Sequence, residues 1–375
     1  MIYLDNAGTT QVLPEIVELY NKYQNEFFFN PSAPYHPALE TSREIKNARE
    51  RIMKKLCALH GNLIFTSSGT ESNNLALFGA KKGKGSRIIV SESEHPSVYN
   101  AALELKQRGY DVVFCEVDET GRVMEEKLTE LLTPETSLVS VMHVNNETGC
   151  VNDIKKLCNI VKNYNKNIIF HSDGVQALGK IPVSIEDLGV DLYTISGHKI
   201  HCVKGVSALY CRDGISVKPL LYGGGQEFGI RSSTENVGGI MSFAYAVESA
   251  VETQKEKAAV MHDLRETLKE ELRSLGFLLV DGKMQSDYIL CAVMPKIRGE
   301  VMLHSLEKYG IFIGTGSACS SKKTQKKLPK ILKLSKEYEN GIIRISFSRF
   351  TTKDDIYYFV ESIKKEYNIL KKYIN

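Results

Sequence analysis

Short apolar runs of β-type residues recur from about residue 60 to residue 250, with longer segments of mixed polarity between them. They predict strands at Leu63–Thr66, Arg87–Val90, Asp111–Cys115, Leu138–Val144, Ile168–His171, Leu192–Ser196 and Val206–Tyr210. Several are apolar throughout, as strands covered on both faces are. The intervening segments, Ser97–Arg108 and Asp153–Asn163 among them, are long enough for crossover helices. This alternation predicts an α/β fold with a mostly parallel central sheet flanked by helices.

The texture changes after about residue 255. Lys255–Leu275 has the spacing of a long amphipathic helix. Strand-like Phe277–Val280, Tyr288–Met294, Ile311–Gly314 and Ile342–Ser348 follow, then a closing helix from about Lys353 to Tyr373. A large α/β domain is therefore expected over residues 15–255, with residues 1–14 and 256–375 forming a smaller α+β domain. The chain has no internal repeat and no low-complexity linker.

At 375 residues and 42% hydrophobic content, the chain exceeds one ordinary domain and has ample material for a core. Its 48 basic and 45 acidic residues give a net charge of +3, which argues against coating nucleic acid. No apolar run reaches the length of a membrane span. The opening Met1–Asn6 lacks the basic region and apolar stretch of a secretion signal, so a cytoplasmic location with reduced thiols is expected. The eight cysteines show no CxxC pairing, no metal site is expected, and most of the thiols should be buried as small hydrophobes.

Two strand ends carry an acid and an amine. His171-Ser172-Asp173-Gly174-Val175-Gln176 ends the run from Asn167, and Ser196-Gly197-His198-Lys199 ends the run from Asp191. A lysine that forms a Schiff base with an aldehyde, and an aspartate that keeps a pyridine nitrogen protonated, are what pyridoxal 5'-phosphate (PLP) needs. Gly69 and Thr70 follow the first predicted strand and open a helix to about Gly79, with Thr70 as its cap. That is an anion site or, taken alone, an ordinary capping turn. His95 offers a flat ring to stack on a pyridine, or is a solvent-facing loop histidine. Asn145 and Asn146 offer an amide to a cofactor or substrate oxygen, or form a turn pair. All of these fall just past predicted strands, where parallel α/β sheets gather ligands. The convergence favours one PLP-binding site.

Three features stand apart. Gly223–Glu227 to Arg231–Thr234 is a glycine- and hydroxyl-rich loop that reads equally as a phosphate cover or a flexible surface loop. Cys319 lies among small residues, Gly314 to Ser321, and precedes Lys322, Lys323, Lys326 and Lys327. Small neighbours imply an exposed, mobile loop, and nearby cations lower a thiol pKa, which favours a nucleophile. Arg344 places a charge in an otherwise apolar strand. It either grips a substrate carboxylate or makes a structural salt bridge.

Taken in order, Asp5-Asn6-Ala7, Gly69-Thr70-Glu71-Ser72, Glu94-His95, Val144–Gly149, Asp173–Gln176, Ser196–Lys199 and Gly316–Cys319 resemble the motifs of the NifS-like cysteine desulfurases. These are fold-type I PLP enzymes of the class V aminotransferase group, and the resemblance covers essentially the whole chain. It implies that Lys199 carries the cofactor, Asp173 pairs with the pyridine nitrogen, Gln176 meets the phenolic oxygen and His95 stacks on the ring. Gly69, Thr70, Ser196 and His198 would hold the phosphate, with Thr234 supplied by the partner subunit of a homodimer. Asn146 and Arg344 would bind the carboxylate of L-cysteine. Cys319 would take the sulfur as a persulfide, leaving L-alanine, and pass it to an acceptor protein for iron–sulfur cluster assembly or for thiolation of tRNA or cofactors.

The chain departs from that pattern in four places. Cys202-Val203 stands where the family has glycine-proline, Phe228 where an arginine is common, Ser233 where glycine precedes Thr234, and the stretch Lys322 to Pro329 where small and acidic residues are usual, which implies a changed acceptor surface. Competing expectations are a selenocysteine lyase, a class V aminotransferase with an incidental loop thiol, and a non-catalytic partner in sulfur handling.

Overall fold

The computed structural model describes residues 1–80, 83–316 and 327–373. Twelve strands appear among them: β1 (Ile2–Leu4), β2 (Asn62–Thr66), β3 (Arg87–Ser91), β4 (Asp111–Cys115), β5 (Thr136–Ser140), β6 (Ile169–Asp173), β7 (Leu192–Ser196), β8 (Ser207–Cys211), β9 (Leu278–Val280), β10 (Ile289–Val293), β11 (Ile311–Thr315) and β12 (Ile342–Ser346). β2 to β8 form one sheet in the order β2-β8-β7-β6-β5-β3-β4. Its strands run parallel apart from β8, which is antiparallel to both neighbours. β5, β6, β7 and β8 are buried at every position, which is why their sequences read as apolar runs without alternation. The observed architecture is the expected mostly parallel α/β sheet with helices around it.

The second sheet has the order β1-β11-β12-β10-β9. β1 pairs parallel with β11 in the register Ile2 with Ile311, so the first residues of the chain join strands more than 300 positions away. Its core includes Leu4, Leu264, Leu268, Ile289, Ile345 and Phe359. One helix, Val237–Ser274, serves both cores. Ile240, Phe243 and Val247 pack with the seven-stranded sheet, while Met261, Leu264 and Leu268 pack with the five-stranded one. Each such fully buried side chain contributes roughly 1.5–3 kcal/mol.

That helix begins eighteen residues before the expected Lys255 (255 − 237), with the Asn236 side chain accepting from Gly239 N. Val237 to Ala244 are all buried, so this half lacks the one-sided stripe that marks an amphipathic helix. The strand expected over Leu138–Val144 stops at Ser140. Val141 and His143 still donate to the carbonyls of His171 and Asp173, but Met142 N turns to the Glu94 carboxylate.

Gly174 shows how closely β7 supports the residue that follows Asp173. A Cβ there would lie 2.1 Å from Cζ of Tyr193, whose ring is fully buried and whose hydroxyl meets His143 Nδ1 at 2.7 Å. G174A is expected to lower stability by about 1–3 kcal/mol. G83A, where a Cβ meets nothing within 4 Å, should change it by less than about 0.5 kcal/mol. Denaturant unfolding of the two variants checks this; equal stabilities would contradict the steric argument.

Candidate active site

The carboxyl ends of β2, β3, β5, β6 and β7 open onto a cavity of about 250 Å³. Gly69, Thr70, His95, Asn146, Asp173, Gln176, Ser196, His198, Lys199 and Arg344 all line it. Ten of the twelve residues singled out from the sequence thus share one chamber. Thr234 does not: within this chain it is exposed and lines a separate cavity of about 190 Å³ beside Glu227 and Arg231. Cys319 lies outside the described residues.

Lys199 ends a single 3₁₀ turn after β7. Its Nζ donates to the carbonyls of Ala7 at 2.6 Å and Gly8 at 2.5 Å. The turn is seated closely, because a Cβ on Gly197 would come within 3.0 Å of Cys202 and 3.2 Å of Phe243. Cys202 is fully buried and its thiol is pushed up to about 12 by desolvation, so the departure at this position places a small inert hydrophobe. Five other described cysteines are also buried, and Cys57 is exposed. Phe228, at the second departure, adopts a left-handed φ of 61° with its ring 4.9 Å from the Arg49 guanidinium.

Asp173 is buried at the end of β6. Oδ1 accepts from Val175 N at 3.0 Å, and Oδ2 accepts from Asn73 Nδ2 at 2.7 Å. The second hydrogen of Asn73 Nδ2 goes to Ser97 Oγ at 2.8 Å, and Ser97 Oγ lies 2.8 Å from His95 Nδ1. Ser97 N also donates to Nδ1 at 3.1 Å. Two donors on Nδ1 place the proton of the neutral ring on Nε2. His95 is therefore a helix cap for Pro96–Gln107 and a lining residue at once, not a solvent-facing loop histidine.

Asn73 and Ser97 are residues that the sequence reading missed. Asn73 lies four positions after Gly69 and so shares its helix face, which was the available signal. Ser68, not Thr70, caps that helix: Glu71 N donates to Ser68 Oγ at 3.1 Å, and Thr70 sits exposed in the first turn. Ser68 is the residue immediately before the first turn, so its hydroxyl accepts from a free N–H of that turn, whereas Thr70 already lies within it. Asn145 and Asn146 also separate. Asn145 Oδ1 accepts from Glu147 N and Thr148 N while its Nδ2 holds Ser93 O, so it builds the turn and leaves Asn146 to face the chamber.

Arg344 reaches the chamber from β12 of the other sheet. Nη2 donates to Asp5 Oδ1 at 2.7 Å, and Nη1 to Asn146 O at 2.9 Å and Glu147 Oε1 at 3.4 Å. The salt-bridge expectation is met, and the pair lies at the wall of the chamber.

The residues fit PLP as a donor set. Lys199 supplies an amine and Asp173 a buried carboxylate. The first N–H groups of the helix Gly69–Ala80 have no intrahelical acceptors. A Cβ at Gly69 would meet Val175 at 3.1 Å and Ser196 at 3.7 Å, so glycine keeps that corner open. Asn73 Oδ1 is buried there without a partner. His198 is pulled down to about 4 by burial and by Lys199 and other cations nearby, so it is neutral at pH 7.

A family model, aminotransferase class-V, matches residues 2–359. This chain belongs to the class-V aminotransferase family. Among its class-V relatives, a cysteine desulfurase IscS of Dictyoglomus turgidum is 36% identical over 97% of this chain and 94% of its own length. A cysteine desulfurase of Trichormus azollae is 38% identical over 95% and 90%. A solved NifS-like protein superimposes with a TM-score of 0.91 at 34% identity, covering 98% of this chain and 99% of that one. The structure described as SspA in complex with cysteine gives 0.79 at 28% identity, covering 94% and 100%. Class-V membership accords with the chamber at the strand ends. Among the described residues no helix is long and apolar enough to cross a membrane, and no His, Cys, Asp and Glu cluster is placed to hold a metal.

Burial pulls the His95 imidazole below its ordinary range, Asp173 opposes that shift, and Lys199 and Arg344 add to it. An NMR titration of the ligand-free protein should therefore place His95 below the usual ~6.5, and D173N should lower it further. A rise in D173N would show that Asp173 does not act on the ring.

Proposed function

We propose that this chain is a PLP-dependent cysteine desulfurase that converts L-cysteine to L-alanine and carries the released sulfur as a persulfide on Cys319. The observation that carries the reading is the meeting of Lys199, Asp173 and His95 in one chamber, in a chain whose relatives are named cysteine desulfurases. Lys199 would hold the cofactor covalently, Asp173 would face its pyridine nitrogen and Gln176 its phenolic oxygen. Gly69, Thr70, Ser196 and His198 would hold the phosphate, and Thr234 would complete that site from the partner subunit of a homodimer. When bound, PLP supplies an electron sink for the pair left as the α-proton of cysteine departs.

The chain's own groups do the rest. Lys199 Nζ, released from the Ala7 and Gly8 carbonyls, would serve as the base that takes the α-proton. His95, neutral with its proton on Nε2, would stack on the cofactor ring and offer that N–H as a donor. Arg344 and Asn146 would orient the substrate carboxylate, Arg344 trading the Asp5 carboxylate for it. The Cys319 thiolate would attack the cysteine sulfur. An Sγ–S bond forms as the Cβ–S bond breaks, and protonation of the carbon fragment gives alanine. The sulfur then passes to an acceptor protein serving iron–sulfur cluster assembly or thiolation in the cytoplasm.

Purified protein incubated with PLP and L-cysteine tests the reading. C319A should keep the visible cofactor band yet lose persulfide and nearly all sulfur release, whereas K199A should lose covalent attachment. Full sulfur release by C319A would reject the persulfide route, and transfer of the amino group to a keto acid would make the chain an aminotransferase. The lysines that follow Cys319 suit an acidic acceptor, so sulfur transfer should weaken as salt rises past ~0.1 M. Salt-independent transfer at constant desulfurase turnover would count against an acidic docking surface.

A further inference from the structure

Lys180 is a buried amine that the proposed chemistry leaves unused. It lies in the turns that lead away from β6, seven positions past Asp173 (180 − 173). Its Nζ donates to Gln176 Oε1 at 2.5 Å. Gln176 Nε2 donates onward to Ala7 O at 2.9 Å, and Ala7 O also accepts from Lys199 Nζ at 2.6 Å. One run of hydrogen bonds therefore joins Lys180 to the lysine at the centre of the chamber.

No carboxylate answers the charge of Lys180 among the described residues. Burial pushes its amine down to about 7, and the charged groups that add to the shift are the cations Lys199 and Arg344. A buried cation without a counter-ion is costly. Its retention makes sense where an anion arrives with a ligand. The amide chemistry says which anion. Gln176 has one acceptor end and one donor end, while a lysine ammonium has donors only. Lys180 can face nothing but Oε1, and the NH₂ end must then turn toward Ala7 and the chamber. Ala7 O takes one of its two hydrogens and the other remains for a ligand.

We propose that Lys180 is a positioning residue that locks the Gln176 amide with Nε2 toward the chamber, so that its second N–H meets the anionic phenolic oxygen of the cofactor. This rests on the PLP reading above. Without Lys180 the amide is free to rotate, and its oxygen would then confront that phenolate.

The full chain reconstituted with PLP tests this through the pH midpoint of its visible absorbance, with borohydride labelling as an independent control. Loss of a donor to the phenolic oxygen raises the oxygen's basicity. K180M and Q176A should each move the midpoint upward by roughly one pH unit. The K180M/Q176A double variant should move it no further than Q176A, because both act on one hydrogen bond. K180Q keeps an N–H for Oε1 without the charge and should stay near the wild-type midpoint. An unmoved midpoint in K180M, or shifts that add in the double variant, would overturn the proposal. Should K180M fail to fold, K180Q still decides, since a K180Q midpoint shifted as far as that of Q176A overturns it as well. Borohydride labelling at Lys199 with an unmoved midpoint rejects the role of Lys180 alone. Labelling elsewhere in the wild type rejects the cofactor reading and this one with it.

Discussion

Parallel alignment of strands is the constraint on which the chamber depends. In a parallel sheet every strand ends on the same edge, so the residue after each strand faces the same space. The turn after β2 brings Gly69, β6 ends at Asp173 and the turn after β7 ends at Lys199, and all three line one cavity though 130 residues (199 − 69) separate the first from the last. These strands are buried on both faces, so their ends are held by packing from either side.

Charge inside the chamber is arranged so that few groups are ionised without purpose. His95 and His198 are held neutral at pH 7, chiefly by burial, which leaves Lys199 and Arg344 as the basic groups lining the chamber and Asp173 as the buried carboxylate at the strand end. A space of this composition favours an anionic ligand. The hydrogen bonds run in one direction from donor to acceptor. Asn73 spends both of its hydrogens on Asp173 and Ser97, and that choice reaches His95 through the serine hydroxyl. Directional groups of this kind hold orientation in a way that charge alone does not.

The second sheet closes the chamber through the Arg344 clasp. Asp5 from the start of the chain and Asn146 from the turn beyond β5 meet the guanidinium of β12. A buried arginine needs such partners, and breaking them without replacement leaves an uncompensated charge. In the proposed function a substrate carboxylate would offer the replacement, so substrate binding would draw on the side chain that joins the two sheets.

The sequence by itself determined the mostly parallel α/β sheet, the strand-end positions of Asp173, Lys199 and His95, and the burial of most cysteines. These rest on local patterns, such as apolar runs and the residues that end them, that survive without tertiary context. It also placed β10 and β12 nearly to the residue, as their dense apolar content allows. Tertiary structure alone decided the rest. It fixed the early start of the helix at Val237, where burial on all sides erases periodicity, and Ser68 as the cap in place of Thr70. It brought the Ala7 and Gly8 carbonyls to Lys199, Asn73 to Asp173, and Asp5 to Arg344. Each of these contacts spans a long interval of chain, and hydrogen bonds between such residues leave no trace in spacing or composition. Only the folded register brings their atoms within reach.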